Sequence, residues 1–464
     1  MPAEKPKILF LMADEHRHDV LGFQGDPIVR TPTLDWLADT GVVFENCYTP
    51  SPICVPMRQC MAAGQLPRTC GVEDYGQDLP PFSMTFARRL SQYGYLTVCC
   101  GKLHHDGPDQ MQGWMRRIGA NCRITPKYIQ DRDEASWAAR PSRDDPYQLV
   151  GKDAWNIQRA GVGRGSSTHV ADELALLGAQ RFIECHFQDP YYIRAHPAEP
   201  LLLKVSFNRP HYPYLTNEEL FTYYLNRVEP KLQSERFDHP VLGSRSVVPG
   251  RDVTEQEIRR ATAAYYGMVE EVDRDFGSVL ERLQHVGEDL DDWIIVYLAD
   301  HGEMLGDHGV WEKTVFFEQS VKVPLIIRYP RRFAPNRVKQ NVNLCDLFAT
   351  LCELTGTPVP EPAETVNGAG LDSRSLVGLC DVGDSAAWDN ETVSQIRGTD
   401  LMIKRDDLKY QLYQRPSCRD CPEVLFDLAA DPEERRNAID DPRHAEAVAA
   451  FRRRAAELRF DPPR

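Results

Sequence analysis

Apolar runs of strand length alternate along this chain with longer stretches of helical period. Residues 8–13, 95–100, 201–207, 293–298 and 323–329 read as strands, and another extended segment opens at 42–44. Thr31-Pro32-Thr33-Leu34-Asp35 places proline in the first turn of a helix that Gly41 ends. Residues 255–283 read as one long amphipathic helix. Near-continuous apolar strands alternating with helices predict an α/β sheet buried on both faces. After a Pro-, Glu- and Gly-rich connection at 358–370 come short strand candidates at 392–396, 408–413 and 423–428, then a charged amphipathic helix at 444–458. This change of pattern predicts a small α+β C-terminal domain, dividing the chain into 1–365 and 366–464.

Polar, chemically competent residues stand just past the C-terminal ends of the apolar runs. Asp14 and Glu15 follow the first, Gly101-Lys102-Leu103-His104 the third, Asn208-Arg209-Pro210-His211 the fourth and Asp300-His301-Gly302 the fifth. Ligands of open α/β sheets bind outside the carboxyl ends of the strands, so four such groups in one register predict a single pocket.

Composition narrows the classes. Of 464 residues, 42% are hydrophobic and 27% charged, ordinary for a globular protein. Acidic side chains outnumber basic ones by 69 to 54, a formal charge of −15, which argues against nucleic acid or an anionic membrane as partner. No run approaches the roughly 20 apolar residues of a membrane span, and the first apolar run stops at Asp14, too short for a secretory signal. A cytoplasmic protein is expected. Thirteen cysteines, an odd number, predict reduced thiols rather than a disulfide scaffold. Cys418-Arg419-Asp420-Cys421 has no second Cys or His pair near it, so zinc is not expected there. Cys99 and Cys100 read as core residues.

Asp14, Glu15, Asp300 and His301 offer mainly oxygen donors, which suit a hard divalent cation. Arg58, Lys102 and Lys313 are candidates to hold a tetrahedral oxyanion, and Lys102 stands out because it follows a buried run. His104, His211 and His301 lie at three strand ends, where imidazole serves as acid or base. His16, His18, His105 and His308 are set aside as packed or surface residues. Cys54, before Val55-Pro56-Met57-Arg58, has a plain alternative as a buried thiol at a loop-to-helix junction. If it opens a helix, the free amides there favour an anion.

These segments together resemble the type I sulfatases. Cys54-Val55-Pro56-Met57-Arg58 is similar to the family's modification signature, Gly101-Lys102-Leu103-His104 to its Gly-Lys-aromatic-His segment, and Pro210-His211-Tyr212-Pro213 to its Pro-His-x-Pro segment. Residues 300–309 with Trp311-Glu312-Lys313 resemble its second metal-binding segment, and residues 423–428 its C-terminal strand. Met57, Glu15 and His301 stand where the family often has Ser, Asp and Asn. The flavour is closest to the arylsulfatase and choline-sulfatase branch, with phosphonate monoester hydrolases as relatives.

The resemblance implies an alkaline-phosphatase-like fold, with a mixed, mostly parallel sheet flanked by helices. It implies one divalent metal, Ca or Mn, on Asp14, Glu15, Cys54, Asp300 and His301. It also implies formylglycine at residue 54, made by a formylglycine-generating enzyme, whose hydrated aldehyde attacks the sulfur of a small-molecule sulfate ester. Arg58 would support that diol, Lys102 and Lys313 grip the sulfate, His211 protonate the leaving oxygen, and His104 take the proton that releases sulfate. A homo-oligomer is expected. The alternatives are a phosphonate monoester or phosphodiester hydrolase on the same scaffold, and a non-catalytic metal- or anion-binding protein that keeps its thiol.

Overall fold

The computed structural model describes residues 5–119, 150–163, 166–188, 199–232, 237–381, 388–415, 418 and 422–462. A central sheet contains β1 (Lys7–Asp14), β2 (Val42–Tyr48), β3 (Leu96–Gly101), β4 (Arg116–Ile118), β5 (Leu201–Pro210), β6 (Trp293–Ala299), β7 (Leu325–Arg328) and β8 (Asn336–Asn343). Their spatial order is β8-β2-β7-β6-β1-β5-β3-β4, with the two-residue strand Lys322–Val323 added on β2. Strand β1 is central and runs parallel to both β5 and β6. Strand β7 runs antiparallel to β6 and β2, so the sheet is mixed but mostly parallel.

Alternation along the strands explains the layering. Ile8, Phe10 and Met12 enter the core on one face, which also holds residues of α2 (Cys54–Ala63) and of a helix at Leu347–Thr355. Leu9, Leu11 and Ala13 enter the other, beneath α1 (Pro32–Thr40), α3 (Ser167–Gln188) and α4 (Glu255–His285). Helix α4 begins where a capping box forms: Thr254 accepts from the Glu257 amide, and the Glu257 carboxylate accepts from the Thr254 amide.

Two expectations need correction. The run at 323–329 is not one strand; Pro324 separates Lys322–Val323 from β7, because proline cannot donate to a ladder. Three strands of the two larger sheets, β4, β8 and Asp400–Arg405, lie outside the expected runs. The connection at 358–370 contains short 3-10 turns at Pro362–Glu364 and Val366–Gly368.

The C-terminal part is a four-stranded antiparallel sheet, β9 (Glu391–Ile396), β10 (Asp400–Arg405), β11 (Leu408–Tyr413) and β12 (Glu423–Asp427), with α5 (Ala445–Glu457) against it. Both its faces are buried. Leu401, Ile403 and Tyr410 share a core with Val55 and Cys60, while Met402, Tyr413 and Phe426 share another with Tyr48, Ile53 and Phe317. Lys409 joins the two parts through buried charge. Its ammonium contacts Glu434 and lies 2.9 Å from Glu318, whose other oxygen accepts from Tyr48.

Among the described residues, no helix is long and apolar enough to cross a membrane. The described cysteines, Cys99 and Cys100 among them, carry no disulfide. Of the Cys418…Cys421 pair, Cys421 lies outside the described residues.

Candidate active site

The C-terminal ends of β1, β2, β3, β5 and β6 open on one place, as the strand-end pattern predicts. Strand β2 leads through an extended turn to α2, whose first residue is Cys54. Gly101 ends β3 at φ +93°, and a Cβ there would collide with the Ser206 carbonyl. Only glycine allows that approach, which lets the Lys102 amide bond the same carbonyl at 2.9 Å.

Asp14 and Asp300 face each other across Arg58, and all three are buried. Arg58 donates through Nη2 to Asp14 Oδ2 and through Nε to Asp300 Oδ2, both at 2.9 Å. Its Nη1 donates to the Lys102 carbonyl and to Ser206 Oγ, both at 3.0 Å. Lys102 Nζ lies 2.5 Å from Asp14 Oδ2, and Lys313 Nζ lies 2.6 Å from Glu15 Oε2. Cys54 Sγ is 3.1 Å from His301 Nε2 and 3.7 Å from Asp14 Oδ1. The His301 Nδ1 proton points to the Gly302 carbonyl at 3.0 Å, which leaves Nε2 with its lone pair toward the thiol.

His211 follows the same logic. Its Nδ1 donates to the Tyr212 carbonyl at 2.7 Å, and Nε2 faces inward, 3.4 Å from Glu15 Oε2 and 3.9 Å from Asp14 Oδ1. His104 is buried beside Tyr75, and its carbonyl accepts from Gln59. Glu15, His104, Glu312 and Thr314 take up the left-handed backbone region. Such residues cost about 1–3 kcal/mol each and gather where geometry is over-determined.

Charge follows from burial and neighbours. Burial opposes ionisation of Asp14, but Lys102, His211 and Arg58 outweigh it and hold the carboxyl well below its usual range. Burial pushes Glu15 well above its range against the pull of Lys313. The Cys54 thiol is pushed up to about 11, by burial first and then by Asp14. His104 falls well below the ordinary imidazole value through burial, Lys102 and Arg58, and His211 through burial and Lys313. Lys313 stays firmly cationic, since Cys54 and Glu15 overcome its burial.

One donor atom each from Asp14, Cys54, Asp300 and His301 lies within 4.8 Å of the others, as do donors from Asp14, Glu15 and His211. Carboxylate oxygens with an imidazole fit a hard divalent cation. The side chain at 54 is the encoded cysteine, a free thiol. Cys54, Arg58, Lys102, His211, Lys313, Asp14, Glu15, Asp300 and His301 are thus brought together, with His104 beside Lys102.

Of the four histidines set aside, His16 packs against Tyr297 and His308 on Phe317, His105 is buried and His18 is half-buried. Sequence reasoning missed Ser206, Tyr212 and Glu303. Ser206 anchors Arg58, and the Tyr212 ring lies 4.9 Å from Lys313 Nζ. Glu303 accepts from the amides of Leu305 and Glu312 and from the Tyr214 hydroxyl, closing the loop that ends in Lys313.

Residues 6–357 match the model of the family described as Sulfatase, and residues 306–461 match that described as N-sulphoglucosamine sulphohydrolase, C-terminal. A choline-sulfatase of Rhizobium meliloti is 30% identical over 96% of this chain and 84% of its own length. An arylsulfatase of Clostridium perfringens is 26% identical over 97% and 93%. The crystal structure of a phosphonate monoester hydrolase of Agrobacterium radiobacter superposes with a TM-score of 0.73 at 22% identity, covering 98% of this chain and 95% of that one, a likeness of fold.

Proposed function

The chain belongs to the sulfatase family and is a sulfuric ester hydrolase, and we propose that it cleaves a small-molecule sulfate monoester with residue 54 as nucleophile. The convergence of Cys54, Arg58, Lys102, His211 and Lys313 on the carboxyls of Asp14, Glu15 and Asp300 carries this reading. Conversion of Cys54 to formylglycine would supply a geminal hydroxyl for attack, and Asp14, Asp300, His301 and Glu15 with residue 54 would hold a divalent ion, Ca or Mn, whose Lewis acidity would polarise the sulfate. A formylglycine-generating enzyme is the maturation partner.

The chain's own groups supply the rest. Lys102 and Lys313 hold the sulfate oxygens as compact point charges. Arg58 fixes both carboxylates and keeps the N-terminus of α2 in place beneath residue 54. His211 holds a proton at Nε2 for the leaving oxygen. The negative charge of a bound ester favours that proton and opposes the depression caused by burial and Lys313. His104, kept neutral by burial and its cationic neighbours, accepts the proton of the second hydroxyl as sulfate departs.

Cys54→Ala is expected to abolish turnover of an aryl sulfate while leaving the circular dichroism unchanged. Intact-mass analysis of the peptide containing residue 54 measures conversion. Unimpaired turnover by this variant ends the proposal. The phosphonate alternative is decided by kcat/KM on an aryl sulfate against an aryl phosphonate monoester, the larger value naming the main activity.

A further inference from the structure

Behind the end of β5, outside the pocket, Asp172 of α3 is fully buried. It accepts four hydrogen bonds. Oδ1 takes the Asn208 amide at 2.6 Å and Asn208 Nδ2 at 2.9 Å. Oδ2 takes the Arg209 amide at 3.0 Å and Arg209 Nε at 2.9 Å. Arg209 continues outward to α4, with Nη1 3.1 Å from Glu271 and Nη2 2.5 Å from Asp275. The other Glu271 oxygen accepts from Thr216 Oγ1, the Asn217 amide and Asn217 Nδ2.

The segment from Asn208 to Asn217 is therefore tied at both ends, upstream by Asp172 and downstream by Glu271, and Arg209 joins the two ties. His211 lies between them, and its amide bonds the anchored Asn208 carbonyl at 3.0 Å. Three carboxylates around one guanidinium are poor value for stability alone, since buried ion clusters break even at best against apolar packing. Fixing the place of an atom is a use that such a cluster serves well.

We propose that Asp172 is a positioning residue for His211, holding the 208–217 segment so that Nε2 meets the leaving oxygen. This rests on the reading of His211 as proton donor. Asp172 touches neither substrate nor metal ligand; it acts through Asn208 and Arg209. The amide of Asp172→Asn presents N–H to donors that need an acceptor, which releases the upstream tie.

The test uses enzyme with residue 54 converted, as verified by intact mass, and two substrates. The leaving group of 4-nitrophenyl sulfate needs no proton, whereas that of phenyl sulfate does. His211→Ala is expected to lose about 10²–10⁴-fold in kcat/KM on phenyl sulfate and little on 4-nitrophenyl sulfate. Asp172→Asn is expected to show the same asymmetry at smaller size, about 10–10²-fold, because small misplacements of a catalytic group cost that much. In the His211→Ala background, Asp172→Asn is expected to leave the ratio between the substrates unchanged. Arg209→Lys keeps the charge, loses the fork, and carries the measurement if Asp172→Asn does not fold. Equal losses on both substrates, alongside an asymmetric His211→Ala, overturn the role of Asp172 alone. A symmetric His211→Ala overturns the donor assignment, and this inference with it.

Discussion

Replacing Arg58 with methionine tests whether the site is organised around a charge or merely packed. Methionine nearly fills the volume and removes the cation. Arg58 makes four hydrogen bonds, two of them to buried carboxylates. At about 1.5–3 kcal/mol for each bond to a charged group, the gross gain looks large. Desolvating a guanidinium offsets much of it, at several kcal/mol per ion. The net loss on removing one partner of a buried pair is about 3–5 kcal/mol, because the carboxylates left behind stay buried and uncompensated. Asp14 retains Lys102, so most of the damage falls on Asp300, whose remaining partners among the described residues are the Glu15 and His301 amides and the nearby His301 imidazole. The assay is denaturant unfolding in chelator and in saturating calcium or manganese. A divalent ion held by these carboxylates would offset the missing charge, so the gap between variant and parent should narrow by about 1 kcal/mol or more when metal is added, by mass action on the folded state. A loss below about 1 kcal/mol in chelator, or a gap that metal leaves unchanged, refutes the reasoning.

Two further outcomes follow from buried lysines. Lys204 lies in β5 between Phe10 and Cys99 of the neighbouring strands, with Arg58, Asp300 and Arg117 nearby, and burial pushes it down to about 7. Above that value the unfolded chain holds a proton that the folded one lacks, so stability should rise with pH from about 7 toward the ordinary lysine range, on the order of 1.4 kcal/mol per unit. Lys204→Met should abolish that slope and be the more stable form near neutral pH; a parallel pH–stability curve for the two proteins counts against the argument. Lys409→Ala leaves Glu318 and Glu434 buried together without their cation and should cost about 3–5 kcal/mol. Limited proteolysis should then cut within the C-terminal sheet first, and unchanged resistance there would show that the network does not hold the two parts together.

Much of this arrangement is legible in the chain because strand ends and motif residues coincide. Strongly apolar strands such as β1, β5 and β6 announce themselves, and polar residues at or just past their C-terminal ends line the candidate site. Strand β8, with the sequence NRVKQNVN, escapes because it is an edge strand whose inward residues, Val338 and Val342, are too few to form a run. The reversal of β7 leaves no trace in composition, since strand direction is set by connections rather than by side chains. Ser206 did carry a signal: it and Lys204 are polar residues two apart on one face of the otherwise apolar run 201–207. Asp172 carried none. It is one acid in a helix, and its partners are 36 and 37 residues away.

The overall charge of −15 repels an anionic substrate, so attraction has to be local. At the centre, Asp14, Glu15 and Asp300 face Arg58, Lys102 and Lys313, and the chain's own groups balance when Glu15 is ionised against Lys313, leaving one positive charge over when burial keeps it protonated. A divalent ion on these carboxylates would turn the site positive, enough to match the charge of a sulfate ester together with an ionised hydroxyl. Metal and sulfate binding must then be coupled, and the coupling is reciprocal. Inorganic sulfate should inhibit the metal-loaded enzyme and bind the chelated protein at least about tenfold more weakly, while sulfate tightens metal binding by the same factor. Calorimetric titration of each ligand with and without the other measures both factors. Equal sulfate affinity in chelator and in metal would mean that the lysines alone hold the anion, and that the carboxylates serve some purpose other than seating the ion.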